Sequence, residues 1–137
     1  MLGVDPGQRR CGLAALAATG QVLAREVVAA EELSRALADW TQRWAPRWVV
    51  IGNGTRSGAA RAAAVAVVGE SRVALRDEHG TTLAARARWW REHPPRGLWR
   101  LVPTSLRVPS APLDDLVATI LAERFLAEPV AARPPTV

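Results

Sequence analysis

Trp48-Val49-Val50-Ile51-Gly52 forms an unbroken apolar run. A strand that alternates apolar and polar residues keeps one wet face, whereas a strand apolar throughout must be covered on both sides. This run therefore demands a sheet with helices packed on each face, an α/β architecture. Ahead of it, residues 11–18 and 21–28 read as two strands joined by a tight turn at Ala18-Thr19-Gly20. Val4-Asp5-Pro6-Gly7 ends a shorter strand, so the chain opens with an antiparallel meander of three. Residues 30–44 read as a helix with Leu33, Leu37, Trp40 and Trp44 on one apolar face, which assigns both tryptophans to the core, and Pro46 stops it.

Beyond the run, Ala-rich residues 57–68 predict a second helix and residues 72–75 a short strand, after which Thr81 or Thr82 caps a helix through Trp90. Pro94, Pro95, Pro103, Pro109 and Pro112 make residues 93–112 a loop with room for one short strand. Pro112 suits the first turn of a last helix, to about Leu126, whose Leu113, Leu116, Val117, Ile120, Leu121 and Phe125 face the core. The expected fold is a five-stranded mixed sheet flanked by helices. It occupies residues 1–127, and the Pro- and Ala-rich tail, 128–137, is expected to be disordered.

At 137 residues the chain suits one domain. It has no apolar stretch of the roughly eighteen residues a membrane span needs. Its start, Met1-Leu2-Gly3-Val4-Asp5, lacks the basic and apolar regions of a signal peptide, so a cytoplasmic location is expected. Cys11 has no second cysteine to pair with, and with only His79 and His93 beside it a structural zinc site is out of reach. The formal charge is +5, and all eighteen basic residues are Arg. Such a surface attracts polyanions, a general pointer toward nucleic acid.

Metal-assisted phosphodiester hydrolysis needs several anionic oxygens at one point, to hold one or two Mg²⁺ or Mn²⁺ ions. Three acidic places fit, each at the end of a different element. Asp5 closes the first strand, although Asp-Pro-Gly is also an ordinary turn sequence. Asp77 and Glu78 follow a strand and precede a helix, and Asp114 and Asp115 open the last helix. Acids at helix starts also serve the helix dipole alone, so each pair has a bland explanation.

Asp5-Pro6-Gly7-Gln8-Arg9-Arg10-Cys11-Gly12-Leu13-Ala14 resembles the opening motif of the YqgF family, relatives of the RuvC Holliday-junction resolvases. Asp77-Glu78-His79-Gly80-Thr81-Thr82 is similar to that family's second motif, with His79 and Gly80 in place of Arg and Leu. Leu113-Asp114-Asp115-Leu116 through Phe125-Leu126 is similar to the third. The resemblance covers about residues 1 to 126. It implies a ribonuclease-H-like fold and a metal-dependent nuclease acting on structured RNA, such as an rRNA precursor, or on branched DNA. By position it assigns Asp5, Glu78 and Asp114 as catalytic metal ligands for Mg²⁺ or Mn²⁺, with Asp115 as the alternative third acid. Ile51-Gly52-Asn53-Gly54-Thr55 resembles instead the equivalent domain of Tex proteins, which supports the other reading: an inactive nucleic-acid-binding module.

Arg9 and Arg10 follow the first acid, and Arg56 and Arg61 flank the Gly-rich loop after the fourth strand. Residues 86–107 hold six Arg and one acid, with Trp89, Trp90 and Trp99 interleaved. Arg for phosphates and Trp for bases is how unpaired strands are held. Arg9, Arg10, Arg56, Arg61, Arg86, Arg88 and Arg91 are thus the candidate nucleic-acid contacts. Trp89 and Trp90, being adjacent, cannot share one helix face, so one is expected in the core and the other outside. A two-fold symmetric junction suits a homodimer, but no dimer face is legible.

Overall fold

The computed structural model describes residues 1–134. Strands β1 (Leu2–Pro6), β2 (Arg10–Leu16) and β3 (Val22–Ala29) form the antiparallel meander. Helix α1 (Leu33–Trp44), strand β4 (Val49–Gly52), helix α2 (Ser57–Val68), strand β5 (Val73–Arg76), and helices α3 (Thr81–Glu92) and α4 (Asp114–Ala127) follow. The sheet order is β3-β2-β1-β4-β5, with β4 and β5 parallel to β1.

Strand alternation divides the core into two layers. Leu2, Val4, Leu13, Val49 and Ile51 face one side, where Leu33 and Leu37 of α1 and Ala60 and Ala64 of α2 cover them. Val50 and Ala74 face the other, under α3 and α4. As the apolar run required, every residue of β4 is buried. Helix α4 is buried around most of its circumference, and Ala118 and Ala122 pack on Ala14 and Leu16 while Phe125 meets Trp48 at a ring separation of 5.4 Å.

Several expectations are corrected. Trp40 and Trp44 are half-buried, packed against the first layer rather than enclosed in it, and Trp40 borders an open surface pocket with Glu26 and Val28 of β3. No threonine side chain caps α3: Gly80, in the left-handed conformation at φ 70°, precedes the helix, and the Thr81 hydroxyl donates to the Glu78 carbonyl at 2.6 Å. Residues 93–112 contain two 3-10 turns, Gly97–Leu101 and Thr104–Leu106, and no strand.

The first part of the tail, up to Pro134, has definite contacts; residues 135–137 lie outside the described residues. Val130–Ala132 makes a 3-10 turn, and Arg133 donates to the carbonyls of Leu126 and Glu128. Glu128 accepts from Arg76 Nε at 2.6 Å and Nη2 at 2.8 Å, and this guanidinium holds its carboxyl below the ordinary 4.5. A depressed folded pKa gives stability that is present above the unfolded value and lost as pH falls through the folded one. Glu128→Gln should therefore destabilise by about 1 kcal/mol at pH 7. The difference should shrink below about pH 4.5 in denaturant titrations at a series of pH values.

Candidate active site

Asp5 lies on the α4 side of the sheet, two residues after Gly3, whose Cα is in close contact with the Ala118 carbonyl. Its neighbours on both adjacent strands are glycines. On β2, Gly12 stands directly opposite Asp5 in the antiparallel register. On β4, Gly52 comes one residue after the Val4–Ile51 pair. A Cβ on Gly12 would overlap the main-chain carbonyl of Asp114, and one on Gly52 would overlap the Glu78 carboxylate. At Gly54 a Cβ would stand 2.7 Å from Glu78 Oε2. Glycine within a strand marks a close approach of something else, and here the approaching groups are the Glu78 carboxylate and the main chain of Asp114. The sheet leaves a notch on each side of Asp5, with Glu78 in one and the start of α4 over the other.

The electrostatics follow from that packing. Burial, then the charges of Glu78 and Asp114, push the Asp5 carboxyl up from 3.8 to about 7. Glu78 Oε1 is buried and has no hydrogen-bond partner. Asp114 sits in the first turn of α4, where the helix dipole favours its charge, and its Oδ2 is 3.5 Å from Arg10 Nε.

Asp115 points elsewhere. Its Oδ1 accepts from the Leu116 amide and its Oδ2 is 3.6 Å from Arg25 Nε, while the same Arg25 donates to Glu92 at 3.1 and 3.3 Å. It is also absent from the charges that raise Asp5. Of the two adjacent acids, the structure brings Asp114 toward Asp5 and ties Asp115 to β3 and α3. Exposed Asp77 accepts from the His79 amide in a local turn.

Four carboxylate oxygens on Glu78 and Asp114, with two more on Asp5, form the hard donor set that Mg²⁺ or Mn²⁺ takes. The unpartnered Glu78 Oε1 is the atom such an ion would satisfy, so the residues fit a divalent cation. Among the described residues, however, no three acidic, His or Cys side chains already stand in ligand geometry. Glu78 is folded onto Gly52 and Gly54, and Asp114 is turned toward Arg10, so side-chain rotation must accompany binding.

The basic candidates divide. Arg10 lies at the acids, with 57% of its side chain exposed. Exposed Arg9 sits in the same turn, and exposed Arg56 immediately precedes α2. Arg61 is paired with Glu70, and Arg88 donates to Glu92 at 3.1 Å and Glu123 at 2.8 Å, so both are engaged within the fold. Arg86 is half-buried and Arg91 exposed, neither with an acidic partner among the described residues. The glycine notches were missed by sequence reasoning, although Gly12 and Gly52 interrupting strands was the signal available.

A mixed sheet of this order, with a three-strand meander and helices on both faces, is the ribonuclease-H-like fold. No protein-family model matches the chain, and no curated protein sequence does. Solved structures that share the fold include two of RuvC. Thermus thermophilus RuvC in complex with a Holliday junction substrate superposes with a TM-score of 0.59 over 88% of each chain, at 17% sequence identity. A second Thermus thermophilus RuvC structure gives a TM-score of 0.56 at 16% identity, covering 88% of this chain and 89% of that one. The architecture is therefore RuvC-like. Among the described residues no helix is long and apolar enough to cross a membrane.

Proposed function

We propose that this chain is a divalent-metal-dependent nuclease in which Asp5, Glu78 and Asp114 hold Mg²⁺ or Mn²⁺. The observation that carries the reading is the pair of glycine notches, which admit Glu78 and the start of α4 on either side of Asp5. Three carboxylates gathered on a chain of net charge +5 would by themselves repel a phosphodiester, so they serve a nucleic-acid substrate only with a cation among them. A bound divalent ion would supply activation of water and stabilisation of the leaving oxygen.

The chain's own residues do the positioning. Asp5 is placed by the strand register, Glu78 beside Gly52 and Asp114 in the first turn of α4, from where the last two side chains would rotate to share an ion. Arg10 lies beside Asp114 and is mostly exposed, which suits a side chain that leaves the acid for an incoming phosphate. Branched DNA is one substrate class, since a structural neighbour is bound to a Holliday junction. Structured RNA, including rRNA precursors, is the other, suggested by the motif resemblance to YqgF proteins. A cytoplasmic enzyme, working as a homodimer on two-fold symmetric substrates, fits the same reading.

The alternative is a binding module that kept the fold without the chemistry. It is favoured by one observation, that the three acids do not already stand as a ligand set. Purified protein incubated with labelled RNA hairpins and four-way DNA junctions in Mn²⁺, Mg²⁺ or EDTA separates the two. The nuclease reading expects products only with metal, and at least a hundredfold loss in Asp5→Asn, Glu78→Gln and Asp114→Asn, about 2.7 kcal/mol of barrier each. Asp115→Asn should retain most activity. Binding without products in every metal would establish the module instead.

A further inference from the structure

The segment between α3 and α4 carries more exposed apolar surface than any solvated loop requires. Trp99 keeps 65% of its surface exposed, and Leu98, Leu101, Leu106 and Val108 each keep more than two-thirds. Trp99, Trp90, His93, Arg96, Arg107 and Val108 line a cleft of about 440 Å³, within the usual range for bound small groups, about 300–1,000 Å³.

The three local tryptophans are not equivalent. Trp89 packs on the core and stacks on His93 at 3.8 Å, so its ring is occupied. Trp90 is half-buried with the Arg107 guanidinium 5.7 Å over its ring. Trp99 alone of the three offers an open ring face, having no aromatic or cationic partner among the described residues.

Position and charge identify the occupant. Glu92, near the end of α3, bonds Arg25, which also reaches Asp115; the loop leaves from that point and returns to Asp114. The segment that lines the cleft thus leads directly into Asp114, one of the three acids. Six Arg lie in residues 86–107, and only Arg88 has acidic partners; Arg86, Arg91, Arg96, Arg100 and Arg107 have none among the described residues. A second copy of the chain would bring the same cations face to face, whereas a polyanion matches them. We propose that Trp99, with Trp90 and Arg107 behind it, is a receptor for an unpaired base of a single-stranded segment led toward the acids. This rests on the nuclease reading for what the strand is delivered to, while the binding itself can be measured without it.

The test uses the full chain in EDTA with fluorescein-labelled 12-mers: single-stranded DNA, single-stranded RNA, duplex DNA, and an abasic DNA strand of the same length. The parent protein should prefer the single strands over the duplex and the abasic strand. Trp99→Ala, at an exposed site that leaves folding intact, should weaken single-strand binding about tenfold. Tenfold is about 1.4 kcal/mol, within the 1–3 kcal/mol expected for one stacked base. Trp99→Phe should restore most of it, duplex binding should change less than twofold, and the DNA and RNA arms report which strand is preferred. Equal loss on all four ligands, no loss on any, or a change in sedimentation mass with Trp99→Ala (a protein interface) would each overturn the receptor. Trp99-dependent binding by a protein that never cleaves in metal would instead leave the receptor standing and remove the nuclease.

Discussion

Asp5→Asn is expected to make the metal-free protein more stable at pH 8 while abolishing its stabilisation by Mn²⁺. The sign follows from the raised pKa. An acid whose folded value is about 7 against an ordinary 3.8 is held protonated by the fold, so stability falls as pH rises from 3.8 to 7 and stays low above it. A shift of about three units corresponds to roughly 4 kcal/mol. Asparagine removes the titration, and allowing for its own imperfectly bonded amide, a gain of about 2–4 kcal/mol at pH 8 is expected. Urea unfolding at pH 4 and pH 8 in EDTA measures it: the gain should be present at pH 8 and nearly absent at pH 4. Mn²⁺ at a thousand times its Kd should offset that gain and reverse the order, since it adds about 4.1 kcal/mol to the parent and nothing to the variant. A residue that weakens the empty fold and strengthens the loaded one is kept for its site, not for packing.

The second large effect belongs to a methyl group. Gly12→Ala should destabilise by about 3 kcal/mol or more, at the upper end for overpacked sites, because the new Cβ meets the Asp114 carbonyl, which cannot turn aside as a side chain would. To accommodate it, α4 must lift from β2, and Asp114 moves away from Asp5. Thermal melts should show the loss, and any Gly12→Ala protein that folds should bind Mn²⁺ more weakly. Gly58→Ala provides the contrast: its Cβ would meet nothing within 4 Å inside α2, so about 0.5–1 kcal/mol of stabilisation is expected. Opposite signs from the same chemical change would locate the constraint at the notch.

Much of this architecture was legible in the residues. The apolar run at residues 48–52 required cover on both faces, and α1 and α2 on one side with α3 and α4 on the other provide it. The Ala-rich helix was placed at its observed bounds, Ser57–Val68. Failures arose where an outcome depends on distant partners. Arg88 reads as a free cation until Glu123, thirty-five residues away, is found bonded to it. Asp114 and Asp115 are indistinguishable as a dipeptide, and they separate only because Arg25 of β3 reaches the second. Trp40 and Trp44 obey the helical period of a core stripe, but periodicity reports which side a residue faces and says nothing of how completely its neighbours enclose it.

The positions of Asp5, Glu78 and Asp114 at element ends were readable, while the glycine gaps that let Glu78 and the start of α4 approach Asp5 were not. A strand glycine has many explanations, and only the register that sets Gly12 opposite Asp5, with Gly52 on the other neighbouring strand, shows one gap receiving the Glu78 carboxylate and the other the main chain at the start of α4.

The central claim is that these carboxylates share a cation. Crystals soaked in Mn²⁺, with anomalous diffraction recorded at the manganese edge, test it directly. The expected result is a peak bonded to Asp5 and to Glu78, Asp114 or both, with the Glu78 Oε1 that now lacks a partner among its ligands. No peak at saturating Mn²⁺, or peaks only at other acids such as Asp115 or Asp77, would contradict it.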